Sequence, residues 1–167
     1  ESEFHQLSYI KHEQVVHDGA SIASWKRAET ADFWAHEQVF KNITPLFKSY
    51  PATHWLTVGD GRYGTDANYL MKQGLQVLAS DLNVKLLKAA QEENFIHDYA
   101  QEIAEDLSFE NNHFDFVLCK ESYHHFPRPM KALYEMLRVA KKGVILIEPN
   151  DSACIDPYHT TISSALY

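Results

Sequence analysis

Residues 54–74 have the sequence HWLTVGDGRYGTDANYLMKQG, in which a short apolar run precedes a glycine-rich turn and a segment with helical spacing. The run 54–58 stops at Gly59, which predicts a β-strand. From Thr65 to Gln73 the apolar residues recur on one side, and Gly74 suits a helix C-terminus. The stretch therefore predicts a strand, a tight loop and a helix.

The same alternation continues along the chain. The pattern predicts further strands at 76–80, 99–105, 114–119 and 144–147, with helices at 84–93, preceded by Asn83 as N-cap, and at 130–140, closed by Lys141-Lys142-Gly143. Met130, Leu133, Tyr134 and Leu137 share one face of the last helix, and the uniformly apolar strand 144–147 suits the centre of a sheet. Strands alternating with helices predict an α/β fold with a doubly wound, mostly parallel sheet and helices on both faces.

Composition narrows the classes of function. The chain has 167 residues with 15 basic and 23 acidic side chains, a net charge of −8. This charge argues against broad binding to nucleic acid or to an anionic membrane. We find no apolar stretch near the roughly 18 residues that a membrane span needs, and no signal peptide. Two cysteines, Cys119 and Cys154, make no disulfide scaffold, and we expect Cys119 to be a buried free thiol. We therefore expect a cytoplasmic protein.

The glycine loop is the first candidate site. Gly59, Gly61 and Gly64 form a G-x-G-x-x-G pattern between the predicted strand and helix. Glycines allow a tight turn and let a ligand approach bare backbone, while the following helix directs free N–H groups at it. Asp81 ends the second strand, 22 residues after Gly59. An acid at that distance can accept hydrogen bonds from both ribose hydroxyls, so the two sites together predict an adenosine-containing cofactor.

Several segments, in this order, resemble the class I S-adenosylmethionine-dependent methyltransferases, especially the small-molecule group that includes the ubiquinone and menaquinone biosynthesis enzymes. The resemblance spans about Trp55 to Asn150. It rests on the cofactor loop 56–64, the strand end 78–81, the run AEDLSF at 104–109 followed by NNHFD at 111–115, the strand and loop 116–126, and ILIEP at 145–149. It implies a Rossmann-like methyltransferase fold and S-adenosylmethionine as cofactor.

The resemblance also implies residue roles. Gly59, Gly61 and Gly64 would pass the backbone under the methionine part of the cofactor, with Asp60 in the same loop. Asp81 would hold the ribose diol. The remaining positions are Leu82 against the adenine, Ala104 and Glu105 at the adenine edge, and Lys120 and Glu121 near the sulfonium.

Three departures from the family pattern stand out. Thr57 occupies a place that is usually acidic, and Asp60 is the nearest acid that could compensate. Ile103 replaces an aspartate that often accepts the adenine amino group, so Glu105 or the backbone would have to serve. The loop also has one residue more than the commoner G-x-G-x-G, which makes it look like a dinucleotide loop.

Two other functions remain open. An NAD(P)-binding oxidoreductase would share the glycine loop and Asp81, but it would not predict the segments at 104–109, 124–126 or 148–149. A non-catalytic relative that works through protein contacts is the second alternative, favoured by Thr57 and Ile103. The acceptor is expected to be a small molecule, and a homo-oligomer is left open.

His124 and His125 are the candidate catalytic bases, because histidine titrates near physiological pH and the loop after the fourth strand faces the pocket. A structural role for both is the alternative. Tyr123 could contact substrate, and Glu148 could contact substrate or accept backbone hydrogen bonds. No spacing of His and Cys predicts a metal site.

The two ends of the chain are predicted separately. Residues 1–50 are predicted as a helical segment, limited near Pro45, that packs on the main domain or covers its ligand site as a lid. Residues 51–167 are predicted as the cofactor-binding domain. Only 18 residues follow Pro149, too few for a crossover helix and two strands. We therefore expect a sheet truncated after its fifth strand, or an edge covered by a partner.

Overall fold

The computed structural model describes residues 19–27 and 29–149. Within them a five-stranded sheet has the order β3-β2-β1-β4-β5, and every neighbouring pair is parallel. The strands are β1 (His54–Val58), β2 (Gln76–Asp81), β3 (Asp98–Gln101), β4 (Phe114–Lys120) and β5 (Ala140–Ile147). The predicted doubly wound parallel architecture is confirmed for this part of the chain.

Six α-helices are described: α1 (Gly19–Lys26), α2 (Ala31–Lys41), α3 (Thr44–Ser49), α4 (Thr65–Lys72), α5 (Lys85–Glu92) and α6 (Pro129–Val139). One core layer lies between the sheet and helices α2 to α5, and it includes Trp55, Leu70 and Leu87. The other layer lies under α6, around Val117 and Met136. Helices therefore cover both faces of the sheet, as the sequence predicts.

Some element bounds differ from the prediction. Helix α5 begins at Lys85 rather than 84, although the Asn83 side chain does accept a hydrogen bond from the Lys85 N–H (3.2 Å). Strand β3 spans Asp98–Gln101 instead of 99–105. Pro45 lies in the first turn of α3, so it starts a helix as well as limiting the one before it.

The region of α6 and β5 corrects the sequence prediction most. Lys141-Lys142-Gly143 does not close the helix, because α6 ends at Val139 and β5 begins at Ala140. Gly143 instead pairs with Phe116 of β4. Strand β5 is an edge of the described sheet rather than its centre. Helix α6 buries Ala132, Met136 and Val139, whereas three of the four residues on the predicted apolar face are exposed: Met130, Tyr134 and Leu137.

The N-terminal helices pack on the sheet domain. Phe40 of α2 is buried and stacks on Tyr69 of α4, with ring centroids 4.1 Å apart. Lys26 of α1 binds Glu93 (2.5 Å) and lies over the Tyr63 ring. The division at residue 50 stays a prediction, and residues 1–18 and 150–167 lie outside the described part.

A buried carboxylate fixes the loop between β1 and α4. Asp60 accepts hydrogen bonds from the N–H groups of Asp66 (3.2 Å) and Ala67 (2.9 Å) in the first turn of α4, and from the Thr57 hydroxyl (3.0 Å). Burial, followed by the nearby Asp66 carboxylate, raises the pKa of Asp60 well above its ordinary value. The loop is therefore held from beneath by an acid that the surrounding structure keeps away from water.

We expect Gly64→Ala to destabilise the protein more than Gly74→Ala. Both glycines have positive φ, +68° and +82°, so alanine costs about 1 kcal/mol at either position. At Gly64 a Cβ would also lie 2.8 Å from Cγ2 of the buried Ile96, whereas at Gly74 it would meet nothing within 4 Å. This overlap should add about 1–3 kcal/mol to the loss of unfolding free energy, measured by urea denaturation. Equal losses in the two variants would contradict this packing at Gly64.

A pH dependence follows from the Asp60–Asp66 pair. Burial also raises the pKa of Asp66, although Lys120 opposes the rise. An acid with a raised pKa binds more protons folded than unfolded between its ordinary pKa, here 3.8, and its raised one. The free energy of unfolding should therefore fall as pH rises through that window.

Asp66→Asn should make this fall shallower, because it removes one of the two raised acids and the repulsion that Asp60 experiences. Urea denaturation of both proteins at a series of pH values from about 4 upward measures the difference. Parallel curves for wild type and variant would show that Asp66 adds nothing to the pH dependence, and would contradict its raised pKa.

Candidate functional site

A cavity of about 680 Å³ opens at the carboxyl ends of β2, β1 and β4. This volume lies within the range of small-molecule and cofactor sites, and the position is where open parallel sheets bind ligands. The strand order fixes the layout of the cavity. Asp81 and the residues after β2 lie on one side, the glycine loop after β1 lies in the middle, and the end of β4 lies on the other.

Asp81 lies against the glycine loop at the edge of the cavity. Its side chain is buried, and its Oδ1 accepts a hydrogen bond from the Asn83 N–H (2.8 Å), which fixes the turn after β2. A Cβ on Gly61 would lie only 2.9 Å from Asp81 Oδ2. A side chain at position 61 would therefore collide with the carboxylate, so glycine lets the loop lie directly against Asp81. This arrangement fits the ribose of an adenosine-containing ligand, which needs an acid beside a loop without side chains.

Gly59 is needed for a different reason. The Ser122 hydroxyl in the loop after β4 donates a hydrogen bond to the Gly59 carbonyl (2.7 Å). A Cβ on Gly59 would lie 2.5 Å from the Ser122 Cβ, so only glycine permits the two loops to touch. Gly64 does not line the cavity but packs against Ile96 and Leu87. Of the three loop glycines, Gly59 and Gly61 therefore border the cavity, and Gly64 lets the start of α4 pack closely against Ile96 and Leu87.

The side of the cavity near β2 includes several apolar side chains among charged ones such as Lys85 and Glu102. Leu82 and Ala104 line it, as the resemblance implies, and so does Ile103 at the place of the missing aspartate. Glu105 also lines the cavity, but its Oε1 accepts a hydrogen bond from the Arg128 N–H (3.1 Å) before α6. The Glu105 carboxylate is thus already engaged with backbone, and its role at an adenine edge stays a prediction.

The side near β4 is charged. Lys120 ends β4 with only 3% of its side chain exposed, and its Nζ lies 3.1 Å from Glu121 Oε2 and 3.5 Å from Asp66 Oδ1. A buried ammonium between two carboxylates is the expected way to keep such a charge out of water. Lys120, Glu121, Asp66 and Arg62 all line the cavity. The two sides therefore differ in chemistry, one suited to a nucleoside and the other to a charged group.

Two residues in the cavity's loops have a backbone that favours glycine. Tyr63 in the glycine loop has φ +62°, and Glu121 after β4 has φ +53°. Such conformations cost free energy and persist where the surrounding structure enforces them. The Glu121 N–H donates to the Ile147 carbonyl (2.7 Å), which holds the turn in place. Glu121 is therefore fixed directly after β4, on the lining of the cavity.

The two candidate histidines differ in position. His125 lines the cavity, whereas His124 does not. The His124 side chain is 45% exposed, and its Nδ1 lies 2.5 Å from Glu148 Oε2. Glu148 Oε1 also accepts the Tyr123 N–H (3.0 Å), so Glu148 fixes this turn through backbone and side chain together. Of the pair, only His125 borders the space where a ligand would lie.

The sequence prediction missed residues whose contacts come from distant parts of the chain. Ser122 and Arg62 lie inside quoted motifs without being assigned, and a basic side chain in the glycine loop is a signal that could have identified Arg62. Asp66 was recognisable as an acid in the first turn of the helix. His36 lies in the N-terminal segment, and no local pattern marks it. Its Nε2 nevertheless lies 2.5 Å from Arg62 Nη1.

Cys119 is a buried free thiol, as predicted, and burial raises its pKa far above its ordinary range. Among residues 19–27 and 29–149, no group of three or more His, Cys, Asp or Glu side chains is arranged to hold a metal ion. No helix in the same described residues is long and apolar enough to span a bilayer.

Known proteins resemble this chain in sequence and in fold. The curated demethylmenaquinone methyltransferase of Renibacterium salmoninarum is 34% identical over 97 residues, which cover 58% of this chain and 40% of that protein. A solved methyltransferase structure from Bacillus halodurans C-125 is 31% identical, with a TM-score of 0.55 over 67% of this chain and 54% of that one.

Magnesium protoporphyrin IX methyltransferase from Synechocystis PCC 6803, solved with bound S-adenosylmethionine, shares the fold at 16% identity. Its TM-score is 0.64, and the match covers 83% of this chain and 74% of that one. The chain spans two fifths of the length of its curated relative and about half that of the Bacillus halodurans protein.

The sequence profile of the family described as "Methyltransferase domain" matches residues 56–147, more than half of the chain. The match runs from β1 to the end of β5, so it includes every strand that borders the cavity. The chain therefore belongs to the methyltransferase domain family, and the cofactor this implies is S-adenosylmethionine.

Proposed function

We propose that this protein binds S-adenosylmethionine in the cavity and transfers its methyl group to a small-molecule acceptor. The observation that carries the proposal is the buried Asp81 carboxylate against the bare backbone of Gly61, at the carboxyl ends of β2 and β1 and next to the point between β1 and β4 where the strand order reverses. The curated relative, a demethylmenaquinone methyltransferase, supports an acceptor that is a small molecule. A cytoplasmic location stays a prediction from the sequence.

The residues present would hold the cofactor as follows. Asp81 would accept the ribose hydroxyls, with Leu82 and Ala104 against the base. The glycine loop would pass under the methionine part of the cofactor, and Lys120 and Glu121 would line the cavity near the sulfonium. When bound, S-adenosylmethionine supplies a methyl group on a sulfonium that is already activated for in-line displacement.

The task left to the protein is to align the acceptor and, for some acceptors, to remove a proton. Good alignment contributes about 7–11 kcal/mol to lowering a barrier. A positioned base adds about 10²–10⁴-fold when the acceptor must lose a proton. We assign that role to His125 rather than His124, because His125 borders the cavity and His124 is held by Glu148 outside it.

The cofactor assignment is tested by calorimetric titration with S-adenosylmethionine, S-adenosylhomocysteine and NADH in parallel. We expect saturable binding of the first two and none of NADH. Binding of NADH alone would contradict the assignment and would indicate that the glycine loop binds a dinucleotide, as in an NAD(P)-binding oxidoreductase. Binding of none of the three would favour a non-catalytic relative.

Asp81→Ala should weaken S-adenosylhomocysteine binding about 100-fold, because it removes two hydrogen bonds from a charged acceptor. Asp81→Asn should weaken it nearly as much while keeping an oxygen that can accept the Asn83 N–H, so it controls for the turn. Asp98→Ala, an exposed aspartate at the start of the neighbouring strand, is the matched control and should bind normally. Unchanged affinity in both Asp81 variants would eliminate the ribose role.

A further inference from the structure

His36 of α2 joins the two loops that form the charged side of the cavity. Its Nε2 lies 2.5 Å from Arg62 Nη1 in the glycine loop, and its Nδ1 lies 3.5 Å from Glu121 Oε2 after β4. Arg62 and Glu121 line the cavity, whereas His36 does not. A residue from the N-terminal segment therefore contacts the site only through two residues that border it.

The chemistry of the two partners fixes the role of each histidine nitrogen. A guanidinium has only donors, so Nε2 must accept from Arg62 and carry no proton. Nδ1 then carries the ring proton and faces the Glu121 carboxylate, 3.5 Å away. In this tautomer His36 lies between a cation at one nitrogen and an anion at the other.

The N-terminal helices make two further contacts with the charged residues of these loops. Its guanidinium carbon lies 5.1 Å from the centre of the Trp25 ring in α1, within cation–π distance. Lys120, the neighbour of Glu121, lies 5.8 Å from the centre of the Phe40 ring in α2. Docking of α1 and α2 thus limits where the charged side chains of both loops can go.

A cation and an anion that line one cavity and contact the same imidazole match the two charges of an α-amino acid group. A guanidinium binds a carboxylate in a fixed fork geometry, and a carboxylate binds an ammonium. The side of the cavity near β2, where Leu82, Ala104 and Asp81 lie, suits the nucleoside. The charged side near β4 is then left for the amino acid part. This step rests on the proposed function, because the amino acid group is that of the cofactor.

We propose that His36 is a positioning residue that sets Arg62 and Glu121 to bind the amino acid end of the cofactor. The N-terminal helices, for which packing or a lid was predicted, would then complete the cofactor site through this one side chain. His36 acts through its neighbours and needs no contact with the ligand.

The test compares two ligands that differ by the amino acid group. S-adenosylhomocysteine has it, and 5′-methylthioadenosine lacks it while keeping the nucleoside and the sulfur. His36→Ala should bind S-adenosylhomocysteine about tenfold more weakly, the loss of one hydrogen bond to a charged group, and bind 5′-methylthioadenosine as wild type does. Calorimetry measures both affinities without requiring catalysis.

Two amide variants separate the two contacts. His36→Gln can place an amide oxygen at the position of Nε2 and should largely restore S-adenosylhomocysteine affinity. His36→Asn reaches only the position of Nδ1 and should bind as weakly as His36→Ala. If His36→Ala does not fold, the difference in S-adenosylhomocysteine affinity between the two amide variants tests the proposal instead. Trp34→Ala, an exposed residue on the same helix, is the matched control and should bind both ligands normally.

Each other outcome is decisive. Equal weakening of both ligands in His36→Ala would show a general packing role and overturn the proposal, as would unchanged affinity for both. If the wild-type protein binds neither ligand, the proposed function itself fails. If it binds both with equal affinity, the amino acid group is not recognised and the role of His36 fails while the nucleoside site stands.

Discussion

The buried carboxylate of Asp60 is the constraint on which the cavity depends. Its hydrogen bonds to the first turn of α4 and to Thr57 of β1 join strand, loop and helix at one point. With the Asp60 side chain turned under the loop, the glycines above it present bare backbone to the cavity. An acidic side chain, the kind of residue that the family resemblance places at position 57, therefore lies next to Thr57, whose hydroxyl donates to it.

Further contacts join the glycine loop to the other loops at the carboxyl ends of the strands. The glycine loop meets the loop after β4 through Gly59 and Ser122, and the charges of Arg62, Asp66, Lys120 and Glu121 collect where those loops meet. Burying several charges is favourable only when each is paired, which explains why they form one cluster. The N-terminal helices close this cluster from outside through His36. The side near β2 combines the apolar Leu82, Ile103 and Ala104 with Asp81, Glu105 and two further charged residues, Lys85 and Glu102, so the two halves of the cavity differ in chemistry.

Local pattern predicts most of the sheet but not its contacts. The apolar runs of β1, β2 and β4 are bounded by glycine or by charged residues, so their bounds could be predicted to within about one residue. Helix α6 has apolar residues around most of its circumference, so periodicity does not decide which face is buried. The sequence prediction chose the face with the larger side chains. The structure buries the face with Ala132, whose small side chain lets the helix approach the sheet closely.

The contact of His36 with Arg62 joins residues 26 apart, and that of Ser122 with Gly59 joins residues 63 apart. Such pairings depend on the fold and leave no spacing to detect.

The central claim is that the cofactor lies between the glycine loop and the loop after β4. Amide chemical shifts of the isotopically labelled protein, recorded as S-adenosylhomocysteine is added, test it most directly. We expect the largest changes at residues 59–64, 81–83 and 120–126, and none near His54 and His113 at the opposite end of the strands. Changes confined to that opposite end, with the glycine loop unaffected, would contradict the account.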